Sequence, residues 1–209
     1  MVERQLHRRG IDDERVLNAM AAVPREHFVP EAVRDSAYND SALPIGHEQT
    51  ISQPWVVAAI CQALHLEGNE KVLEIGTGSG YSAAVLAQLG ERVISLERVP
   101  ELAATARERL EELAVRNVEV VVGDGSRGYP AGAPYDAIAV HAATPEAPHS
   151  LLAQLATSGR LVVPIATGTA DLLTAFTKED GDLRQETIGP CRFVPLIGAE
   201  GFNPPEPPE

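Results

Sequence analysis

The sequence has few basic residues for its length. It carries 17 Lys and Arg residues against 30 Asp and Glu, which gives a formal net charge of −13 at pH 7. Proteins bind nucleic acid phosphates with clustered Lys and Arg side chains. The composition therefore argues against a nucleic acid partner, and we interpret the acidic excess as a contribution to solubility.

Cysteine is also scarce, because only Cys61 and Cys191 are present. Their separation matches neither the spacing of metal ligands nor a disulfide framework. We therefore predict two buried thiols in a reducing compartment and no metal site.

The sequence lacks a long apolar run. Residues 1–9 do not contain the apolar core of a secretory signal. The most apolar window covers residues 56–66, but Gln62 and His65 interrupt it and it is too short to span a bilayer. These absences predict a soluble, cytoplasmic protein with no membrane partner.

The 209 residues are sufficient for one α/β domain with additions. Residues 1–66 are predicted to be mainly helical, with Asp12 as the cap of a helix that ends at Pro24. From Lys71 onward, apolar strands alternate with helices, which is typical of a parallel sheet covered on both faces. The predicted strands cover residues 71–75, 92–96, 118–122, 135–140 and 160–165, and the predicted helices cover 79–89, 100–114 and 146–156.

Residues 172–177 and 183–188, joined around Gly181, predict a β-hairpin at the sheet edge. The expected fold class is α/β, a Rossmann-like, doubly wound and mostly parallel sheet with a helical N-terminal addition and a C-terminal β-hairpin edge. We expect a single domain over residues 1–198, divided into an N-terminal region (1–66) and an α/β core (67–198). A Pro-rich tail (199–209) follows, and we expect its last seven residues to be disordered.

Residues 72–81 (VLEIGTGSGY) combine a buried strand, a glycine-rich turn and the start of a helix. A dinucleotide-binding turn requires G-x-G-x-x-G, but Tyr81 occupies the third glycine position and Gly80 lies one residue early. Glu74 precedes the first glycine, where its carboxylate would repel a phosphate and attract a cationic amino group. We therefore predict S-adenosylmethionine (SAM), which has an ammonium group and no phosphate, as the cofactor in preference to NAD.

Two further acidic residues follow the next two strands. Glu97 ends the second strand of the core, where a carboxylate can accept hydrogen bonds from ribose hydroxyls. Asp124, between Gly123 and Gly125, follows the third strand and can face an adenine amino group, although Asp and Gly are also common turn residues. Ligands bind at the carboxyl ends of the strands in open α/β sheets, so we expect these residues to share one site.

The chain resembles the protein-L-isoaspartate (D-aspartate) O-methyltransferase family over residues 1–197. The most specific match is Thr50-Ile51-Ser52-Gln53-Pro54, because other SAM-dependent enzymes lack this segment. The other matching segments are 15–20 (RVLNAM), 23–30 (VPREHFVP), 37–40 (AYND), 43–46 (LPIG), 72–81, 123–126 (GDGS), 134–138 (PYDAI) and 192–196 (RFVPL). The resemblance implies methyl transfer from SAM to the α-carboxylate of isoaspartyl residues in damaged peptides and proteins. The ester then forms a succinimide unaided, and hydrolysis returns some normal aspartate.

The resemblance also implies roles for individual residues. A loop in residues 1–66, the substrate and lid region, closes over the cofactor, which implies Thr50 and Ser52 as catalytic residues beside the substrate carboxylate. An alternative role for Ser52 is to cap the helix that begins at Pro54. The cofactor-binding residues implied in the core are Glu74, Gly76, Thr77, Gly78, Ser79, Gly80, Glu97, Asp124 and Gly125. No general base is expected, because a carboxylate is already ionised at neutral pH.

Two places depart from the family pattern. His141 stands where small or hydroxyl residues are common in the family, and we interpret it as a pocket-wall or partly exposed residue. Residues 166–170 replace a loop that does not match, so the sequence preference around the isoaspartate could differ.

Three other functions stay open at this stage. An aspartate O-methyltransferase of the same fold could act on a ribosomally made peptide. An NAD-dependent oxidoreductase is disfavoured by Glu74 and by the misplaced third glycine. A catalytically silent SAM-fold binding module is disfavoured by the intact segment at residues 50–54. We expect a monomer, because the sequence has no unexplained apolar surface helix.

Overall fold

Residues 1–66 form helices and one short hairpin that cover one face of the later sheet. The computed structural model, which describes residues 1–179 and 181–204, has α1 at Glu14–Ala22 and α2 at Pro54–Leu64. Short 3-10 or π turns occupy Val2–Leu6, His7–Arg9, Arg25–Phe28 and Glu31–Ser36. Strands β1 (Leu43–Gly46) and β2 (Gln49–Ile51) pair antiparallel. The predicted helical addition is present, and this hairpin is an element that the sequence pattern did not predict.

The core is a seven-stranded sheet with helices on both faces. Its strands are β3 (Lys71–Ile75), β4 (Arg92–Glu97), β5 (Val118–Val122), β6 (Tyr135–Val140), β7 (Leu155–Ala166), β8 (Asp171–Glu179) and β9 (Asp182–Cys191). The strand order is β5-β4-β3-β6-β7-β8-β9, and the first five strands in that order are parallel. β8 and β9 are antiparallel additions at one edge, which confirms the predicted C-terminal hairpin. The connecting helices are α3 (Tyr81–Ala87), α4 (Pro100–Glu112) and α5 (His149–Ala153).

Some predicted boundaries were wrong because tertiary contacts extend or shorten the elements. The helix predicted from residue 79 begins at Tyr81, since Gly80 is its cap and has a left-handed backbone with φ of +90°. The strand predicted at 160–165 begins at Leu155, where Tyr135 pairs with it, and the preceding helix is correspondingly short. Pairing with a neighbouring strand is a non-local event that local sequence does not report.

The sheet separates two apolar cores. Val72 packs with the N-terminal region, α2 and α3, whereas Leu73 packs on the other face with residues from β6, β7 and α5. Successive side chains of a strand point to opposite faces, so Glu74 points to the same face as Val72, toward α3. This alternation decides which side of the sheet receives the carboxylate.

The chain after β9 returns across the carboxyl ends of the strands. Backbone hydrogen bonds join Ala143 to Val194 (2.8 Å) and to Leu196 (2.7 Å). The amide of Ala199 donates to Asp124 at 2.9 Å, so the first residues of the predicted tail contact the core. Residues 205–209 lie outside the described part of the chain. Among the described residues, no helix combines the length and apolar character needed to cross a bilayer.

The cap of α1 is Asp13 and not Asp12. The Asp13 side chain accepts hydrogen bonds from the amides of Arg15 and Val16, which satisfies two free donors at the start of the helix. The amides of Asp12 and Asp13 both donate to the side chain of Gln62, so the side-chain contacts of Asp13 are what identify it as the cap.

We expect Asp13→Ala to lower the free energy of unfolding by about 1 kcal/mol, because the helix loses its cap. Asp12→Ala is the matched control and should have little effect, since only its backbone is engaged. Urea denaturation of both variants measures the difference. Equal losses in the two variants would contradict this assignment of the cap.

Candidate active site

A cleft opens at the carboxyl ends of β3, β4 and β6, where the predicted residues meet. It holds about 770 Å³ of space, part of it open to solvent. Its walls come from the loop after β2, the glycine-rich turn, the ends of β4 and β6, and the C-terminal segment. Eight of the predicted site residues line it: Thr50, Ser52, Gly76, Thr77, Gly78, Ser79, Glu97 and Gly125. Glu74, Gly80 and Asp124 are not among the lining residues.

The backbone of the glycine-rich turn is hydrogen-bonded to the end of β4. The amides of Gly76 and Thr77 both donate to the carbonyl oxygen of Leu96, at 2.8 and 3.2 Å. Gly78 has a φ of +52°, and a Cβ built on it would lie 3.3 Å from the Ile45 side chain of the β1–β2 hairpin. A side chain at position 78 would therefore meet both backbone strain and the wall opposite. The bare turn leaves room for a ligand to approach its backbone.

Glu97 is held rigidly at the edge of the cleft. One carboxylate oxygen accepts from the amide of Gly78 at 2.8 Å, and the other accepts from the amide of Val99 at 2.9 Å. The side chain is almost fully buried, yet it lines the cleft. A carboxylate has about four acceptor positions, so two remain for hydroxyl groups of a ligand.

Glu74 lies beneath the turn and not in the cleft wall. Its residue is fully buried, and its carboxylate accepts hydrogen bonds from the hydroxyls of Ser82 on α3 and Ser95 on β4. The hydroxyls of Ser95 and Thr77 are 2.5 Å apart and extend the network into the turn. Burial raises the pKa of Glu74 to about 7, although the two serine hydroxyls oppose that shift. Direct contact between Glu74 and an ammonium group stays a prediction that this burial does not favour.

His141 connects this buried cluster to the cleft. It follows β6, its amide donates to the carbonyl oxygen of Ile75 at 2.8 Å, and its side chain lines the cleft. The ring nitrogen Nε2 lies 3.4 Å from Glu74 Oε1 and has no hydrogen-bond partner among the described residues. Burial lowers the pKa of His141 to about 4, so its imidazole is neutral at pH 7. The expectation of a pocket-wall histidine is confirmed.

A buried arginine holds the segment that contains Thr50, in β2, and Ser52, directly after β2. The guanidinium of Arg25 donates to the carbonyl oxygens of Ser52 and Ala37, both at 2.7 Å, and lies 4.8 Å over the ring of Tyr81. Arg25 is fully buried, and this burial lowers the pKa of its guanidinium. The backbone at Ser52 is therefore held in place, and both Thr50 and Ser52 line the cleft.

Ser52 does not cap α2. The residue at the cap position is Gln53, and no side chain makes a capping hydrogen bond there. Pro54 occupies the first turn, where the missing amide hydrogen removes one of the groups that a cap would satisfy. The hydroxyl of Ser52 is consequently available to the cleft that the residue lines.

Asp124 faces the C-terminal segment, while its neighbour Gly125 lines the cleft. The Asp124 carboxylate accepts from the amide and hydroxyl of Ser126 and from the amide of Ala199. Partial burial would raise the pKa of Asp124, but these hydrogen bonds outweigh it and hold the pKa below its usual value. A Cβ on Gly125 would lie 2.5 Å from the Ile75 side chain, so only glycine fits beside the sheet edge.

Sequence reasoning missed the parts played by Arg25, Ser82 and Ser95. Ser95 carried a usable signal, because a polar residue inside the apolar strand 92–96 pairs in register with Glu74. Arg25 carried no comparable signal, since its acceptors are backbone carbonyls 12 and 27 residues away. Within residues 1–179 and 181–204, no group of three His, Cys, Asp or Glu side chains is arranged as metal ligands would be.

The raised pKa of Glu74 makes stability depend on pH. Because folding raises this pKa from 4.5 to about 7, the fold favours the protonated form. That advantage is complete below pH 4.5 and is lost as pH rises through 7. We expect Glu74→Gln, which cannot ionise, to gain stability relative to the unchanged protein between pH 5 and pH 8, by a few kcal/mol at about 1.4 kcal/mol for each unit of pKa shift. Urea denaturation at both pH values measures this difference, and a pH-independent difference would contradict the shift.

Comparison with known proteins identifies the family. The sequence model of the protein-L-isoaspartate(D-aspartate) O-methyltransferase family matches residues 1–201. Protein-L-isoaspartate O-methyltransferase 1 of Rhodopseudomonas palustris (strain HaA2) is 55% identical over 204 residues, which cover 97% of this chain and 83% of that protein.

Two solved structures support the same conclusion. One, described as a protein-L-isoaspartate O-methyltransferase, has a TM-score of 0.84 at 31% identity and covers 96% of this chain and 67% of that one. Another, a Plasmodium falciparum protein described as a protein-L-isoaspartate O-methyltransferase in complex with S-adenosyl-L-homocysteine, has a TM-score of 0.81 at 27% identity over 94% of this chain and 96% of that one. With the Rossmann-like sheet and the glycine-rich cleft, these matches show that the chain belongs to the protein-L-isoaspartate(D-aspartate) O-methyltransferase family.

Proposed function

We propose that this chain transfers the methyl group of SAM to the α-carboxylate of L-isoaspartyl residues in damaged proteins. The observation that carries the proposal is the cleft itself, in which a bare glycine turn and Glu97 face a loop that presents the hydroxyl-bearing residues Thr50 and Ser52. The glycine turn and Glu97 suit a nucleoside cofactor, and the hydroxyls of Thr50 and Ser52 suit an anionic methyl acceptor. The Plasmodium falciparum relative was solved with S-adenosyl-L-homocysteine (SAH), the thioether that remains after methyl donation, which supports SAM as the cofactor.

The residues present fit this cofactor. Glu97 has free acceptor positions for ribose hydroxyls, and its orientation is fixed by two backbone donors. Gly76 and Gly78 leave their backbone open to the cleft, and Thr77 and Ser79 also line it. Gly125 leaves space beside the end of β5 for the adenine, with Asp124 behind it as a second polar group. When bound, SAM supplies an electrophilic methyl group on a sulfonium.

The acceptor needs orientation more than activation. An isoaspartyl carboxylate has a reference pKa of about 4 and is ionised at neutral pH, so no base has to remove a proton. The hydroxyls of Thr50 and Ser52 can donate to one carboxylate oxygen and leave the other free to attack the methyl carbon. Correct alignment of the reacting atoms can lower a barrier by several kcal/mol. The products are the methyl ester and SAH, and the ester then closes to a succinimide without the enzyme.

The two parts of the domain divide this work. Residues 1–66 supply Thr50, Ser52 and their support Arg25, whereas residues 67–198 supply the groups for the cofactor. All of these residues belong to one chain, and a monomer stays the prediction for the active form. The proposed partners are isoaspartyl-containing peptides and proteins, and the net charge of −13 argues against nucleic acid.

Labelled SAM and matched peptides test the function. We expect base-labile labelling of a peptide with L-isoaspartate and none of the same peptide with aspartate. A D-aspartyl version of the peptide tests whether the second substrate in the family name is accepted. Labelling of the aspartyl peptide alone would overturn the repair function in favour of an enzyme that modifies ordinary aspartates in a dedicated peptide.

Substitution of Ser52 tests the role of the loop. A hydrogen bond to a charged group contributes about 1.5–3 kcal/mol, so we expect Ser52→Ala to reduce turnover roughly 10- to 100-fold. The affinity for SAH should stay within about twofold, because the backbone of Ser52, held by Arg25, is unchanged. Ser41→Ala is the matched control, since Ser41 is exposed before β1 and does not line the cleft. Full activity of Ser52→Ala on the isoaspartyl peptide would remove Ser52 from the mechanism.

A further inference from the structure

The buried carboxylate of Glu74 has no direct access to the cleft. Ser82 and Ser95 donate to it, and the turn at Gly76–Gly78 separates it from the space above. Two side chains that contact or approach Glu74 do line the cleft, Ser82 and His141. A third route runs from Ser95 to Thr77, which also lines the cleft, but the hydroxyls along this route already hydrogen-bond to each other and to Glu74. Ser82 donates its hydroxyl hydrogen to Glu74, which leaves His141 as the group with an unused hydrogen-bonding nitrogen.

The ring of His141 is buried and incompletely hydrogen-bonded. Its side chain is 5% exposed, and Nε2 has no partner at hydrogen-bonding geometry among the described residues. Buried polar atoms are nearly always paired in folded proteins, so an unpaired one needs an explanation. Nε2 lies 3.4 Å from the acceptor Glu74 Oε1, close enough for a hydrogen bond in distance but not in geometry. Bonds of this kind are often long before a ligand binds and shorten when it does.

The chemistry of a neutral imidazole then fixes the role of the other nitrogen. A neutral imidazole has one N–H donor and one acceptor nitrogen. If Nε2 carries the hydrogen and faces Glu74, Nδ1 is the acceptor. His141 lines the cleft and its Nε2 lies next to Glu74, so Nδ1 is the nitrogen left to accept a hydrogen bond from a ligand. A neutral acceptor next to a buried carboxylate suits a cationic donor such as an ammonium group.

The strand order shows which end of the cofactor His141 would meet. Glu97 ends β4 and Gly125 follows β5, so the ribose and adenine sites lie over that side of the sheet. His141 follows β6, on the other side of β3. Neighbouring strands are about 4.8 Å apart, so β5 and β6 are separated by roughly 14 Å. An elongated ligand with its adenosine over β4 and β5 would place its amino acid end over β3 and β6.

We propose, on the basis of the proposed function, that His141 binds the α-ammonium group of the cofactor through Nδ1 while Nε2 donates to Glu74. In this arrangement Glu74 recognises the ammonium indirectly, as a positioning residue that orients and polarises the imidazole. Ser82 and Ser95 in turn hold the carboxylate. The predicted attraction between Glu74 and an ammonium is kept, but the direct contact is made by a residue that the sequence did not assign to the cofactor.

Calorimetric titration with two ligands tests this role. SAH contains the ammonium, whereas 5′-deoxy-5′-methylthioadenosine has the same nucleoside thioether without the amino acid. We expect His141→Phe, which keeps the ring shape and removes both nitrogens, to weaken SAH binding at least tenfold and to leave methylthioadenosine binding within twofold. His141→Asn places an amide oxygen near the position of Nδ1 and should recover part of the SAH affinity. Equal weakening of both ligands, or no weakening of SAH, would overturn the proposal.

An SAH analogue that lacks only the α-amino group separates the ammonium from the neighbouring carboxylate. We expect the analogue to bind the unchanged protein weakly and His141→Phe equally weakly, because the partner of His141 is absent. A further loss of affinity for the analogue in His141→Phe would show that the ring acts on another part of the ligand and would overturn the proposal. His65→Asn is the control and should bind every ligand as the unchanged protein does, because exposed His65 lies outside the cleft and its left-handed backbone (φ +51°) tolerates Asn.

These measurements separate the inference from the proposed function. They require binding of SAH but no isoaspartyl substrate. Unchanged SAH affinity in His141→Phe, together with normal methylation of an isoaspartyl peptide, would remove only the role of His141. Failure of the unchanged protein to bind SAH would remove both the role of His141 and the proposed function.

Discussion

The burial of the Glu74 carboxylate constrains the whole cofactor side of the cleft. A carboxylate removed from water is costly unless hydrogen bonds compensate it, and here the hydroxyls of Ser82 and Ser95 provide them. These donors belong to α3 and β4. The position of Glu74 therefore fixes α3, β4 and the glycine-rich turn that joins β3 to α3. The same turn is joined to β4 through Leu96 and Glu97. The groups for the cofactor are therefore held by hydrogen bonds before any ligand arrives, which reduces the ordering cost of binding.

A second buried charge, the guanidinium of Arg25, supports the side of the cleft that would hold the methyl acceptor. The guanidinium of Arg25 contacts the backbone of the loop at Ser52 and the ring of Tyr81, which begins α3. One side chain thus links the loop that would hold the substrate to the helix that follows the cofactor turn. Alignment of the carboxylate with the methyl group depends on the relative placement of these two parts, and methyl transfer to an ionised acceptor depends on alignment above all.

The sequence predicted the features that depend on local pattern. The apolar strands, the glycine-rich turn and Glu97 at a strand end were all placed correctly, because strand alternation and turn chemistry act over a few residues. The full length of β7 was missed, since it depends on pairing with Tyr135, twenty residues earlier. The β1–β2 hairpin was missed although it is local, because its turn residues His47 and Glu48 adopt left-handed backbones without the Asn-Gly signal typical of such turns. The predicted cap of α1 was wrong by one residue because Asp12 and Asp13 are adjacent residues of the same type, and local pattern does not distinguish which of them caps the helix.

The residues 72–81 determine by themselves that a strand meets a glycine turn with a carboxylate beside it, and this was sufficient to favour a cationic cofactor over a phosphorylated one. Only the tertiary structure decided that Glu74 lies beneath the turn and that His141 stands between it and the cleft. The physical reason is that side-chain direction in β3 sends Glu74 toward α3, while the approach of His141 requires β6 to pair beside β3 after more than 60 intervening residues. Local sequence specifies the chemistry of each group, and the order of strands in the sheet specifies which groups meet.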